Sequence, residues 1–265
     1  MENYVENPAN KVFDDAVSKS KFYTQIFLYF GLGILLTAIT ALLVSFAFSS
    51  IWPMSTIENG NIVLNVSTMN VYITLLVVSM IGLFVISFVI MFKSLRGSGS
   101  ILVPYVLYSI LMGVMLSALS FFIGDSYIIG EALFITALFF IGMCGIGYLT
   151  HNKLALWSKI LLGLSLAAIL LVLLNFVFIP LVVFGGNYAL FQASMWTYLI
   201  TEGVVILLFL VMTAVDMARI RTIAEHGAGS KNLALYCALN LYSDFITLFI
   251  YVLRILVTIA ASNRN

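Results

Sequence analysis

The chain predicts an all-α integral membrane protein: a bundle of seven transmembrane helices, the last near its centre, with the N-terminus cytoplasmic and the C-terminus outside. Composition, the number of long apolar runs and the one-sided placement of basic residues predict it. Hydrophobic residues make up 63% of the 265 positions and charged ones 9%, against about 25% charged in a soluble domain. Lipid is therefore the expected solvent. The net charge of +1 shows no basic or acidic excess, so nothing points to nucleic acid or an anionic polymer as partner.

Crossing a hydrocarbon core of about 30 Å takes about 20 helical residues. Runs of that order occupy 22–48, 70–92, 101–123, 128–149, 157–184, 195–217 and 233–260. The first follows a short leader, residues 1–21, in which Glu2, Glu6, Asp14 and Asp15 mix with Lys11, Lys19 and Lys21. That run is too long for the apolar core of a signal peptide and is expected to be retained. The others are separated by turn-rich stretches, including Arg96-Gly97-Ser98-Gly99-Ser100, Thr150-His151-Asn152-Lys153, Gly185-Gly186-Asn187 and His226-Gly227-Ala228-Gly229-Ser230. None of these has room for a soluble domain, so residues 22–265 are expected to form one transmembrane domain.

Cytoplasmic loops accumulate Lys and Arg. Lys11, Lys19 and Lys21 precede the first segment, Lys93 and Arg96 follow the second, Lys153 and Lys159 the fourth, and Arg219, Arg221 and Lys231 the sixth. These are ten of the chain's 12 basic residues, and the alternate loops, about 49–69, 124–127 and 185–194, hold none. An odd number of crossings is needed to keep all ten on one side.

The last segment carries Asp244 near its centre, within Leu241-Tyr242-Ser243-Asp244-Phe245-Ile246. An acid in hydrocarbon costs about 2.5–3.5 kcal/mol even on the permissive insertion scale, so it marks a pathway or a paired site by default. The sixth and seventh segments should form an antiparallel hairpin turning near Gly229. Asp216 and Asp244 are equidistant from position 230, share a depth, and meet where their faces coincide. Two carboxylates a few Å apart in low dielectric cannot both ionise easily, so such a pair titrates as a unit and would act as a proton-sensitive latch. The alternative for Asp216 is that it faces cytoplasmic water or pairs with Arg219.

Asn240, Thr247 and Tyr251 lie on the Asp244 face of the same helix, at offsets of four, three and seven. They make one polar stripe, suited to a hydrated path. Interhelical hydrogen bonding would explain Asn240 and Thr247 equally well, but not an acid. Glu202 and Arg254 are also level, about position 228, and could close the outer half of the path as a charge-paired plug. Alternatively Arg254 snorkels to headgroups and Glu202 sits in interfacial water.

These residues carry a resemblance. Ala238-Leu239-Asn240-Leu241-Tyr242-Ser243-Asp244-Phe245-Ile246-Thr247-Leu248-Phe249, with Leu253-Arg254 beyond, resembles the terminal signature of the Bax inhibitor-1-like (transmembrane BAX inhibitor motif) family, Ala-Leu-x-Leu-Tyr-Leu-Asp-Phe-Ile-Asn-Leu-Phe with a later Leu-Arg. Val215-Asp216-Met217-Ala218-Arg219-Ile220-Arg221 is similar to its Tyr-Asp-Thr-Gln-x-Ile-Lys, and the stretch from Gly147 to Leu154 to its Tyr-Gly-x-x-Thr-Lys-x-Asp-Leu. Thr247, Ser243 and Met217-Ala218 depart from the pattern.

The resemblance, to bacterial-type members, implies a multi-pass protein of the plasma membrane that forms a calcium-permeable leak pathway, gated as Asp216 and Asp244 titrate. Deprotonated, the two would offer hard oxygen ligands to calcium; protonation would remove that attraction. The resemblance also implies a basic latch at the end of the second segment, for which Lys93 and Arg96 are the candidates. Its other implication is a regulatory protein that restrains a membrane-bound ATP-dependent (AAA-type) protease, through a surface such as the leader. No enzyme is expected and no cofactor beyond calcium as cargo. His151 and His226 form no metalloprotease-type pair, Gly97-Ser98-Gly99 lies in a basic loop, and no lysine beyond Lys231 could hold a retinal. Cys144 and Cys237 read as buried structural thiols.

Overall fold

Burying every backbone polar group within its own segment is the only way for an open chain to cross hydrocarbon, so apolar runs of this length become helices. The computed structural model describes residues 8–58, 61–96, 100–123, 126–150, 188–226 and 231–262. Helix α1 spans Pro8–Phe46 and continues into a wider π-type turn, Ala47–Ile51. A hairpin of β1 (Ser55–Glu58) and β2 (Asn61–Leu64) follows, then α2 (Val66–Arg96), α3 (Leu102–Phe122), α4 (Ser126–Leu149), α5 (Tyr188–Glu225) and α6 (Lys231–Ser262). Among the described residues six helices are long and apolar enough to cross a membrane. The fifth expected segment, 157–184, and His151 lie outside the described residues. The sixth and seventh segments are α5 and α6.

Two features depart from the sequence reading. The 49–69 connection contains an antiparallel hairpin, with Ser55 opposite Leu64 and Glu58 opposite Asn61. Its β-branched Thr56, Ile57, Ile62 and Val63 flank Asn59-Gly60, the dipeptide that most favours a tight hairpin connection. Helix α1 is already formed at Pro8, inside the expected leader.

The described chain forms two compact units, the first holding α1, the hairpin, α2, α3 and α6 through Tyr242, the second α4, α5 and α6 from Ser243. In the first unit Ile90, Ile101, Tyr105 and Leu235 form a buried cluster edged by Tyr29, Ile86 and Tyr108. Lipid is as apolar as leucine, so helices associate through close packing and hydrogen bonds rather than a hydrophobic force. At Gly113 of α3, a Cβ would come within 2.6 Å of the Thr37 carbonyl oxygen of α1. The Thr37 hydroxyl lies 2.6 Å from the hydroxyl of fully buried Tyr242, and 2.9 and 3.0 Å from the carbonyl oxygens of Gly33 and Ser109. The rings of Tyr105 and Tyr108 meet Tyr242 edge-on at 6.2 and 6.0 Å.

In the second unit α4 presents Phe140 and Gly147 from one face. Phe140 meets Phe245 of α6 edge-on at 5.4 Å. Gly147 lies directly against the backbone of Ala214 on α5, leaving no room for a Cβ. Arg221 of α5 donates to the Tyr148 carbonyl at the end of α4, with its guanidinium 4.6 Å over the Tyr148 ring. Elsewhere on the helices Leu28, Leu35, Leu42, Phe84, Phe134 and Ile141 are exposed, apolar surface of the kind that faces lipid.

Candidate functional site

Among the described residues the buried carboxylates are Glu202, Asp216 and Asp244, all in the second unit. Gly147 and Phe140 position two of them. Ala214, pressed on Gly147, is flanked by Thr213 and lies two residues before Asp216; Phe245, packed on Phe140, follows Asp244 directly. Asp216 and Asp244, 8% and 6% exposed, come from facing helices and lie close enough to act on each other electrostatically. The two are thus within electrostatic reach of each other; the turn about which they are equidistant, 227–230, lies outside the described residues.

The two acids are held differently. Asp216 Oδ1 accepts from Arg219 Nη1 at 3.3 Å, the arginine side chain being 54% exposed and the aspartate side chain 11%. Asp244 lies beside the Thr213 hydroxyl, which donates to the Phe209 carbonyl oxygen at 2.9 Å. Its Oδ2 is buried without a hydrogen-bond partner among the described residues. A buried, unmatched carboxylate oxygen is costly unless it carries a proton or meets a cation, so this atom is where the site invites a ligand. Half-buried Cys144 of α4 lies on the helix face between Phe140 and Gly147 and also feels the charge of Asp244. No cluster of three His, Cys, Asp or Glu side chains able to hold a metal occurs among the described residues.

At the second level, about 21 Å along α5 from Asp216 at 1.5 Å per residue, Glu202 Oε1 meets Arg254 Nη1 at 3.2 Å. The glutamate side chain is 4% exposed and the arginine 44%. Arg254 also lies 5.6 Å over the Tyr251 ring, which stacks on Phe209 at 6.2 Å. The rest of the polar stripe is less uniform. Asn240 and Thr247 are half-buried, and the Thr247 hydroxyl donates back to the Ser243 carbonyl at 2.8 Å within its own helix, a bond that satisfies it without a pore.

The latch candidates fall in the first unit. Lys93 donates to the Ser100 carbonyl at 3.5 Å; Arg96 ends α2, and its side chain is not among those described. Sequence reasoning passed over Thr213, one turn before Asp216, whose helical offset of three was the available signal. It also passed over Thr37 and Tyr242, although Tyr242 stands two residues before Asp244 in the terminal motif.

Residues 19–262 match the model of a family described as "Inhibitor of apoptosis-promoting Bax1". The chain is 27% identical over 241 residues to "Inner membrane protein YbhL" of Escherichia coli K12, covering 88% of this chain and 90% of that protein. The protein of that name from Escherichia coli O6:H1 matches to the same extent. No solved structure gives a significant match. With the family match running from the start of the first membrane span to the last residue of α6, this multi-pass membrane protein belongs to the Bax1-I family.

Proposed function

We propose that the chain is a calcium-permeable leak pathway in a bacterial plasma membrane, with Asp216 and Asp244 as its ion-binding and proton-sensing pair. The observation that carries this reading is two buried carboxylates on facing helices, one with an oxygen that no described group satisfies. Calcium takes six to eight oxygen ligands in flexible geometry. Two carboxylates and the Thr213 hydroxyl supply part of that set and water the remainder. Protonating the pair withdraws the negative charge that attracts the cation, so occupancy falls as the carboxylates fill with protons. The Glu202–Arg254 pair closes the outer level, and Thr247 and Tyr251 line the path between. The placement of the basic residues supports seven crossings, with the N-terminus inside and the C-terminus outside; the segment expected to be the fifth, 157–184, lies outside the described residues. The plasma membrane follows from the relative named as an inner membrane protein. The protein acts as a conduit, with no enzymatic step.

The test is calcium flux into liposomes holding the purified protein, as a function of pH, for the wild type, Asp244→Asn and Asp216→Asn. Flux whose pH dependence both substitutions abolish is expected. Absence of flux in folded, oriented preparations of the wild type would overturn the reading in favour of a regulatory binding protein.

A further inference from the structure

The latch implied for the family comes from the end of the second span, yet the only cation bonded to either aspartate among the described residues is Arg219, on the same helix as Asp216. We infer that Arg219 is a tethered competitor of the divalent cation: it occupies Asp216 when the site is empty and must turn away for a doubly charged ion to bind both carboxylates. The inference rests on the ion-binding reading of the aspartate pair.

Three observations carry it. The Arg219 guanidinium reaches a side chain that is 11% exposed while remaining 54% exposed itself, so it has somewhere to go when displaced; a long basic side chain keeps its head in water while its stem lies along apolar surface. It meets Asp216 through a single contact, Nη1 to Oδ1 at 3.3 Å, not through the two-pronged geometry that makes arginine–carboxylate pairs strong. Its neighbour Arg221 is engaged elsewhere, with Glu225 at 2.8 Å and with Tyr148, which makes Arg219 the mobile charge of the two. The charge of Arg219 also reaches Asp244, so one arginine tempers both ligands.

The charge arithmetic sets the consequence. Two carboxylates with one guanidinium carry a net single negative charge, which a divalent cation overcompensates unless the arginine leaves. The site is thereby kept weak, as a leak needs, since an ion held tightly by both carboxylates would not move on. Position 219 falls on the unspecified residue of the family's Asp-Thr-Gln-x-Ile-Lys stretch, so the pattern itself does not call for an arginine there.

Calorimetric titration of the detergent-purified full-length protein with calcium chloride tests it. Arg219→Gln should bind calcium about tenfold more tightly than the wild type, the size of a unit charge acting on a divalent ion at a few Å in a wet site, while Arg219→Lys stays near the wild type. Arg219→Met, which keeps the apolar stem, serves if the glutamine variant fails to fold. Affinity unchanged or weakened in both neutral variants, with binding still lost in Asp244→Asn, would overturn the competitor role and leave the ion site standing. Binding that survives undiminished in Asp244→Asn and Asp216→Asn, or is absent from every variant, would overturn the ion site and this inference with it.

Discussion

Asymmetry of burial decides what a single substitution does at the Glu202–Arg254 pair. Arg254→Gln removes the 3.2 Å counter-charge from a carboxylate that is 4% exposed, whereas Glu202→Gln removes it from a guanidinium that is 44% exposed and can turn to water. Stranding a buried charge is the more damaging change, so Arg254→Gln should lower the melting temperature in detergent by more than Glu202→Gln does. The reverse order would show the pair to be less asymmetric than its burial. Glu202→Gln should instead raise calcium leak in liposomes, because it opens the outer level without leaving an acid behind; an unchanged leak in the folded variant would remove the plug from the mechanism. At this scale the acids were legible because ionisable residues in apolar runs are rare enough to announce themselves. Thr213 was not, because a threonine in a membrane helix is as often bonded to its own backbone, as Thr247 and Thr136 are.

Helix α4 meets α5 through Gly147, while Gly145, two residues away, has open space around it. The two glycines therefore make a matched test of close approach. Gly147→Ala forces a methyl into the Ala214 backbone and should destabilise by about 1–3 kcal/mol. Gly145→Ala should be neutral or gain up to about 1 kcal/mol from helix propensity. Thermal unfolding in one detergent measures both, and equal effects would show that the α4–α5 contact is looser than described. The existence of the helices was readable from apolar length alone, since that requirement is set by membrane thickness. Their ends were not: α1 and α5 run past their apolar runs at Pro8 and Tyr188, because polar residues do not stop a helix that has left the hydrocarbon. The hairpin went unnoticed because a search for long apolar runs is blind to four-residue strands, although Asn59-Gly60 stood between them.

Across the whole chain, the placement of basic residues makes a firm statement about sidedness. A reporter fused after Asn265 should be active on the outer face of the membrane and one fused before Met1 on the cytoplasmic face; two termini on the same side would remove one crossing and with it the seven-span arrangement. Composition alone carried the membrane assignment, since no soluble core accommodates a chain that is 9% charged. The meeting of particular faces did not follow from composition, because depth is one-dimensional and rotation about a helix axis depends on neighbours such as Gly147. The gathering of all the described buried acids on α5 and α6 also bears on how the protein is made. A ribosome delivers α5, with Glu202 and Asp216, before any of α6 exists, and an acid adds to the burden of insertion by an amount that reaches about 2.5–3.5 kcal/mol at a helix centre and falls toward its ends. The counter-charge of Glu202, Arg254, arrives only with α6. Helix α5 thus has reason to linger at the translocon until α6 emerges, so that the two enter lipid as partners, and a chain truncated before α6 should be a substrate for quality-control proteolysis rather than a shorter membrane protein.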